Sequence, residues 1–268
     1  MQLALNALRD EVTTFYDGLF KSDIHEEVYA GSGFSNWGYW RPGTKTASEA
    51  SAQLVDKLLV SVPKGGAVLD AACGSGGTTS RLATMFDAVT AINISAYQVA
   101  RTQARVPSCR VLQMDATALS FPDASFDAVV CVEAVFHFPN KALFLAEAVR
   151  VLKPGGWLVL SDVIFAAPIN TYALRLLPQL APTIFPHANR WNVLAYAAIL
   201  EATGFNATME SAYEETWQRF LAFHNAFCER KILSDPARAG VYREGLKTYA
   251  DLNASISEYL LIAAQKIN

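Results

Sequence analysis

The chain has 268 residues, 52% of them apolar and 18% charged, with a formal net charge of −3. That length supports one large α/β domain, or a domain with a smaller cap, and that composition fits a folded globular chain rather than a disordered one. The near-neutral balance supplies no broad cationic field, which argues against nucleic acid or an anionic membrane as a partner.

Residues 3–20 place Leu5, Leu8, Val12, Phe15, Tyr16, Leu19 and Phe20 at helical spacing, which predicts an amphipathic helix laid on the body of the protein. Residues 29–43 set Tyr29, Phe34, Trp37, Tyr39 and Trp40 among glycines, and read either as a loop pinned to the core by its aromatics or as a lid over a pocket. A helix is expected over 46–61, and Pro63-Lys64-Gly65-Gly66 turns it into a first strand at 67–70. Further strands are expected at 88–93, 110–115, 126–132 and 157–161, with helices from about 78, over 95–105 and over 140–152 between them. Lys153-Pro154-Gly155-Gly156 reads as a turn. Pro168, Pro178, Pro182 and Pro186 interrupt this rhythm and predict a separate cap in short helical pieces over 164–190. A helix at 192–203, a strand near 205–210, a mostly helical stretch at 214–252 and a last strand at 258–265 complete the chain.

Strands that alternate with helices and are almost wholly apolar predict an α/β fold. The expected architecture is a doubly wound, seven-stranded, mostly parallel sheet with an N-terminal helical lid and a helical cap inserted after strand five. Its site is expected at the C-terminal ends of the strands. Cys73, Cys109, Cys131 and Cys228 lack CxxC spacing and read as reduced, buried small hydrophobes, so a cytoplasmic location is expected. Arg9, Asp10 and Glu11 break any signal-peptide core, and no apolar run approaches the roughly 18 residues of a membrane span.

The chemistry concentrates at Asp70-Ala71-Ala72-Cys73-Gly74-Ser75-Gly76-Gly77, a strand end that runs through glycines into a helix. Such a loop brings main-chain N–H groups and a helix N-terminus close to a ligand, although a Gly-rich turn without a ligand has the same pattern. A dinucleotide site would place a pyrophosphate here, yet Asp70 stands before the glycines and Asn93, not an acid, ends strand two. An ammonium group near Asp70 and an adenosine reaching strands two and three describe S-adenosylmethionine better than a nicotinamide.

Four motifs in register carry a resemblance: residues 68–77; Ile92-Asn93-Ile94-Ser95 with Gln98; Asp115-Ala116 before Phe121-Pro122-Asp123-Ala124-Ser125-Phe126-Asp127; and Leu152-Lys153-Pro154-Gly155-Gly156. Together they resemble the class I S-adenosylmethionine-dependent methyltransferases over about residues 35–265. The branch is similar to the sugar O-methyltransferases and cyclopropane-fatty-acid synthases, which share an aromatic N-terminal segment like Asn36-Trp37-Gly38-Tyr39-Trp40. The resemblance implies a Rossmann-like, cofactor-binding core of 46–163 and 191–268, an N-terminal helix and aromatic lid of 1–45, and a substrate cap of 164–190. It implies that Asp70, Ala72, Gly74 and Gly76 hold the methionine portion, with Trp37 and Glu133 beside it. Asn93, Ile94 and Gln98 would face ribose and adenosine, and Asp115 and Ala116 the adenine edge. Ala72 departs from the family's usual glycine and narrows the loop by one methyl group.

Methyl transfer from a sulfonium needs positioning and removal of the acceptor's proton. His137, in the segment after strand four, suits a base at neutral pH, and a histidine of this segment acts as base in the sugar O-methyltransferases it resembles. The alternative is a histidine packed between Phe136 and Phe138. Glu133 either binds the acceptor or caps the helix near Pro139, and Tyr16 and Tyr29 either close the pocket or pack in the core. Phe136, Tyr172, Phe185 and His187 are further candidates for the acceptor side, His187 reading equally as a surface residue. No cluster has metal-ligand spacing. The expected activity is O-methylation of a small, largely apolar metabolite or natural product, with S-adenosylhomocysteine as the second product and no metal. N- or C-methylation, or a cyclisation that uses the bound donor without methyl transfer, remain open, as does a homodimer.

Overall fold

The computed structural model describes residues 2–165 and 189–267, with side chains from residue 9 onward. Helix α1 (Gln2–Phe20) and the short α2 (Asp23–Tyr29) lead into α3 (Ala47–Leu58), β1 (Ala67–Ala71), α4 (Gly77–Leu82), β2 (Ala88–Asn93) and α5 (Ala96–Arg105). Then come β3 (Arg110–Gln113), β4 (Phe126–Val132), a 3-10 turn (Val135–His137), α6 (Lys141–Val151) and β5 (Leu152–Phe165). After the described gap the chain continues through α7 (Val193–Thr203), β6 (Phe205–Ser211), a π turn (Glu214–Gln218), α8 (Arg219–Ser234), a 3-10 turn (Pro236–Arg238), α9 (Ala239–Asn253) and β7 (Ile256–Lys266). The cap expected over 164–190, with its candidates Tyr172, Phe185 and His187, falls almost wholly on residues 166–188, outside the described residues.

The strands form one seven-stranded sheet in the order β3-β2-β1-β4-β5-β7-β6, parallel except for β7, which runs antiparallel to both neighbours. Alternation along the strands builds two cores. Val68, Ala128, Val130 and Val159 point to one layer, where they meet Leu54 and Val55 of α3 and Phe220 of α8. Leu69, Val129, Cys131 and Leu158 point to the other, against Phe144, Leu145 and Ala148 of α6 and Tyr196 of α7. Both faces being covered explains why the sequence of these strands is almost continuously apolar. The four cysteines are buried and unpaired.

Strand five is longer than the expected 157–161: it starts at Leu152, and the register shift between Phe126 and Ala128 takes up the extra residues where Lys153-Pro154-Gly155-Gly156 was expected as a turn. Lys153 grips Asp127 at that shift through Nζ, 2.7 Å from Oδ2, and Asp127 accepts the Ala67 amide. These contacts align β1, β4 and β5. Because β2 and β4 flank β1 on opposite sides, the strand order reverses at β1, and the crevice outside its C-terminal end is where an α/β sheet of this kind binds ligands.

Candidate functional site

A cavity of about 640 Å³ opens at that switch point, within the roughly 300–1,000 Å³ of small-molecule sites. Its wall comes from α1, α2, the aromatic segment after α2, the Gly-rich loop, the ends of β2, β3 and β4, and α9. Of the residues singled out from sequence, Tyr16, Tyr29, Trp37, Ala72, Gly74, Asn93, Ile94, Gln98, Asp115, Ala116, Glu133, Phe136 and His137 all line it.

Asp70 and Gly76 lie outside this lining. Asp70 is 1% exposed and accepts the Thr79 hydroxyl at 2.6 Å, so it braces the first turn of α4 behind the loop. Burial pushes its carboxyl up to about 7, against the opposing hydrogen bond from Thr79. The loop's glycines answer to packing as much as to a ligand. A Cβ on Gly77 would sit 2.6 Å from the Phe34 ring, and one on Gly74 would sit 3.2 Å from Phe20, so aromatic side chains of the N-terminal region press directly on bare backbone. Ala72 keeps its methyl group with φ at 68°, in the left-handed region, where a non-glycine residue costs about 1–2 kcal/mol.

A polar row follows along the ends of β2 and β3. Asn93 Nδ2 donates to Gln98 Oε1 at 3.0 Å while Asn93 Oδ1 accepts the Ser95 amide at 2.9 Å. Asp17 of α1 closes the row, accepting from Ser95 Oγ at 2.6 Å and from Gln98 Nε2 at 2.9 Å. Asp115 holds its Oδ1 on the Thr117 amide and hydroxyl and pairs its Oδ2 with Arg9 of α1. The N-terminal helix is thus tied by two acidic residues to the edge of the cavity.

On the opposite side stands the end of β4. Glu133 is the other lining residue without a glycine's freedom in the left-handed region, with φ at 48°; strain of this kind gathers at functional sites. Its carboxyl accepts the Trp37 amide at 2.9 Å and the Tyr259 hydroxyl at 2.5 Å, joining the aromatic segment to β7. Burial pushes it up to about 8, partly offset by those two donors. The helix-capping alternative for Glu133 is corrected, because Asn140 caps α6 by accepting the Ala142 amide at 2.8 Å.

His137 ends the 3-10 turn and is 7% exposed, its ring 4.1 Å from that of Phe136. The Tyr16 hydroxyl meets its Nε2. Burial, followed by the charge of Glu133, raises the Tyr16 phenol far above its ordinary value, so the phenol stays protonated, and with the imidazole's proton on Nδ1 it donates to Nε2 of His137. Tyr29 spends its hydroxyl on the Asn36 carbonyl at 2.8 Å, and its ring lines the cavity. Within the segment 29–43, Tyr39 and Trp40 are pinned through amides on the Ala50 and Glu215 carbonyls, while Phe34, Asn36 and Trp37 line the cavity.

Sequence reasoning missed the wall supplied by α9: Glu244, Thr248, Tyr249 and Leu252. Glu244, Thr248 and Leu252 recur every four residues, one helix face, but such a face reads as ordinary amphipathicity until something is seen opposite it. It also missed Arg9, Asp17 and His25. Among the described residues no group of three or more His, Cys, Asp or Glu could hold a metal ion, and no helix is long and apolar enough to cross a membrane.

A methyltransferase domain family matches residues 69–160, from the Gly-rich loop through β5. A demethylmenaquinone methyltransferase of Tropheryma whipplei is 33% identical over 190 residues, which are 63% of this chain and 77% of that protein. The chain belongs to the S-adenosylmethionine-dependent methyltransferases. A 2-methyl-6-phytyl-1,4-hydroquinone methyltransferase of Synechocystis sp. is 40% identical over 160 residues, 54% of this chain and 48% of that one. The chain spans about half the length of the first curated relatives it matches. A cyclopropane synthase of Mycobacterium tuberculosis has the same fold, with a TM-score of 0.76 at 21% identity, covering 96% of this chain and 98% of that one.

The cavity suits the methyltransferase family's donor. Asn93, Gln98 and Asp115 line it as a polar row, and Gly74 lines it with Phe20 3.2 Å from where a Cβ would stand. A buried imidazole nitrogen, Nε2 of His25, has no hydrogen-bond partner among the described residues.

Proposed function

We propose that the protein transfers a methyl group from S-adenosylmethionine to a hydroxyl of a small, largely apolar metabolite or natural product. When bound, the donor supplies an electrophilic methyl on a sulfonium. Asn93, Gln98 and Asp115, with Ile94 and the Ala116 amide, would hold its adenosine, and Ala72, Gly74 and Trp37 its methionine part. The acceptor would enter beside Phe15, Phe136, Phe138 and Phe165, aromatic lining residues that exclude water and favour an apolar body. Both curated relatives above are named for methylating a hydroquinone or quinone precursor, which supports an acceptor with an apolar body, and a 27-O-demethylrifamycin SV methyltransferase of Amycolatopsis mediterranei, 40% identical over 134 residues, supports oxygen as the atom methylated.

The observation that carries the reading is the Tyr16–His137 pair in the same cavity as the polar row. The acceptor's proton passes to the Tyr16 oxygen as Tyr16's own proton passes to Nε2 of His137. The phenol remains neutral throughout, as its burial demands, and the proton ends on the imidazole. Glu133 holds Trp37 and the strained end of β4 in place for this transfer.

The test is mass spectrometry after incubation with trideuteromethyl-labelled donor and a panel of apolar compounds bearing ring hydroxyls. A product heavier by one labelled methyl on oxygen is expected. An isomer of the substrate would replace transfer with cyclisation, and a methyl on nitrogen or carbon would replace the acceptor class.

A further inference from the structure

His25 has no part in the proton transfer described above, yet it is 7% exposed and lines the cavity. Its ring lies between Phe20, at 4.9 Å, and Tyr29, at 4.8 Å. Phe20 in turn lies against Gly74, so the imidazole is one ring removed from the Gly-rich loop. Nε2 is buried without a hydrogen-bond partner among the described residues. An imidazole nitrogen left unsatisfied in this way carries its full desolvation penalty unless a ligand bonds it.

The electrostatics select the ligand's sign. Arg101 of α5 lies close enough to oppose protonation of His25, and its own counter-ion, Glu26, is 3.9 Å away at an exposed position. Arg105 of the same helix reaches the Gly31 and Ser75 carbonyls on either side of the gap between α2 and the loop. Burial, then Arg101, lowers His25 to about 4, so at neutral pH it is an uncharged imidazole. With its proton on Nε2, the imidazole offers a carboxylate a hydrogen bond beside the Arg101 guanidinium, whose charge favours an anion over an ammonium group.

Resting on the donor assignment above, we infer that His25 binds the α-carboxylate of the donor's amino-acid end through Nε2. The imidazole is thereby a specificity group for the complete amino-acid moiety, distinct from the residues that hold adenosine.

The experiment is calorimetric titration of S-adenosylhomocysteine and of its decarboxylated analogue, which keeps the ammonium and lacks the carboxylate. They are titrated into the unaltered protein, His25→Phe and His25→Gln. Phe preserves a ring between Phe20 and Tyr29, and thermal unfolding checks that each variant is folded. The inference expects His25→Phe to weaken S-adenosylhomocysteine roughly 10- to 100-fold, leave the decarboxylated analogue within about twofold, and be partly rescued by Gln, which restores an N–H. Equal weakening of both ligands would make His25 a packing residue, and an unchanged affinity for S-adenosylhomocysteine would remove it from the site; either overturns the inference. If neither ligand binds the unaltered protein, the donor assignment itself fails.

Discussion

The hydroxyl of Tyr16, on the N-terminal helix, rests on Nε2 of His137, at the end of β4, across a sequence separation of 121 residues. With the phenol held protonated and the imidazole's proton on Nδ1, the proton points from tyrosine to histidine, both in the cavity wall. Tyr16→Phe should lower turnover by roughly 10²-fold, inside the range of a lost acid–base group, with donor affinity unchanged. Steady-state kinetics beside calorimetry check this. A loss of less than about threefold would reduce Tyr16 to a ring packed on the imidazole.

Asp17 makes the second tie between α1 and the cavity, taking both Ser95 Oγ and Gln98 Nε2 on one oxygen. Asp17→Ala leaves both donors without that acceptor and should loosen α1 over the site. Hydrogen exchange of amides in residues 9–20 should speed up, and donor affinity should fall by several-fold, the scale of about 1 kcal/mol for one such contact. Unchanged protection in α1 would show that apolar packing alone holds it.

The buried carboxyls set a pH dependence of stability. Asp70 stands at about 7 and Glu133 at about 8, each raised by burial above the carboxylate range of the unfolded chain. Through these two carboxyls the folded protein binds more protons than the unfolded one between about pH 4 and pH 8, so their contribution to stability falls as pH rises through that window. His25 and His224, both lowered to about 4, act in the opposite sense between about pH 4 and 6.5. Asp70→Asn removes one carboxyl while leaving the histidine contributions unaltered. Its loss of stability from pH 5 to pH 8.5, measured by urea unfolding, should be smaller than the unaltered protein's by a few kcal/mol at most. An identical fall in both proteins would contradict the assignment.

Lys141 and Asp162 are 0% exposed and meet at 2.5 Å behind the His137 turn, with the Tyr196 ring 5.1 Å from the ammonium. Removing one partner strands the other charge away from water. Lys141→Met should destabilise by about 3–5 kcal/mol, and adding Asp162→Leu should recover most of it. Failure of the second substitution to rescue would mean that packing, not charge, dominates at this position.

What could be read from sequence followed from local periodicity. Runs such as Val68-Leu69 and Val129-Val130 announce strands covered on both faces, and the glycines after Asp70 announce a turn into a helix. The position of the cavity then follows from strand order. Contacts between distant segments left no such trace. The pairing of Arg9 with Asp115, and the meeting of Trp37 and Tyr259 on Glu133, depend on tertiary packing alone. Asp70 shows the limit within a motif: sequence places it beside the glycines, but strand alternation turns it inward to Thr79 and away from the cavity lining. Helix α2, seven residues with three acidic side chains, is too short to declare a period.

Transfer as proposed needs one cavity to hold the donor along Asn93, Gln98 and Asp115 and to remove the acceptor's proton through His137. Its most direct measurement is His137→Ala, with donor affinity by calorimetry and single-turnover transfer of a labelled methyl to an acceptor found by the mass-shift screen. Donor affinity within about twofold of the unaltered protein and a transfer rate lower by roughly 10²–10⁴ are expected. An unchanged transfer rate, or a loss of donor binding as large as the loss of rate, would contradict it.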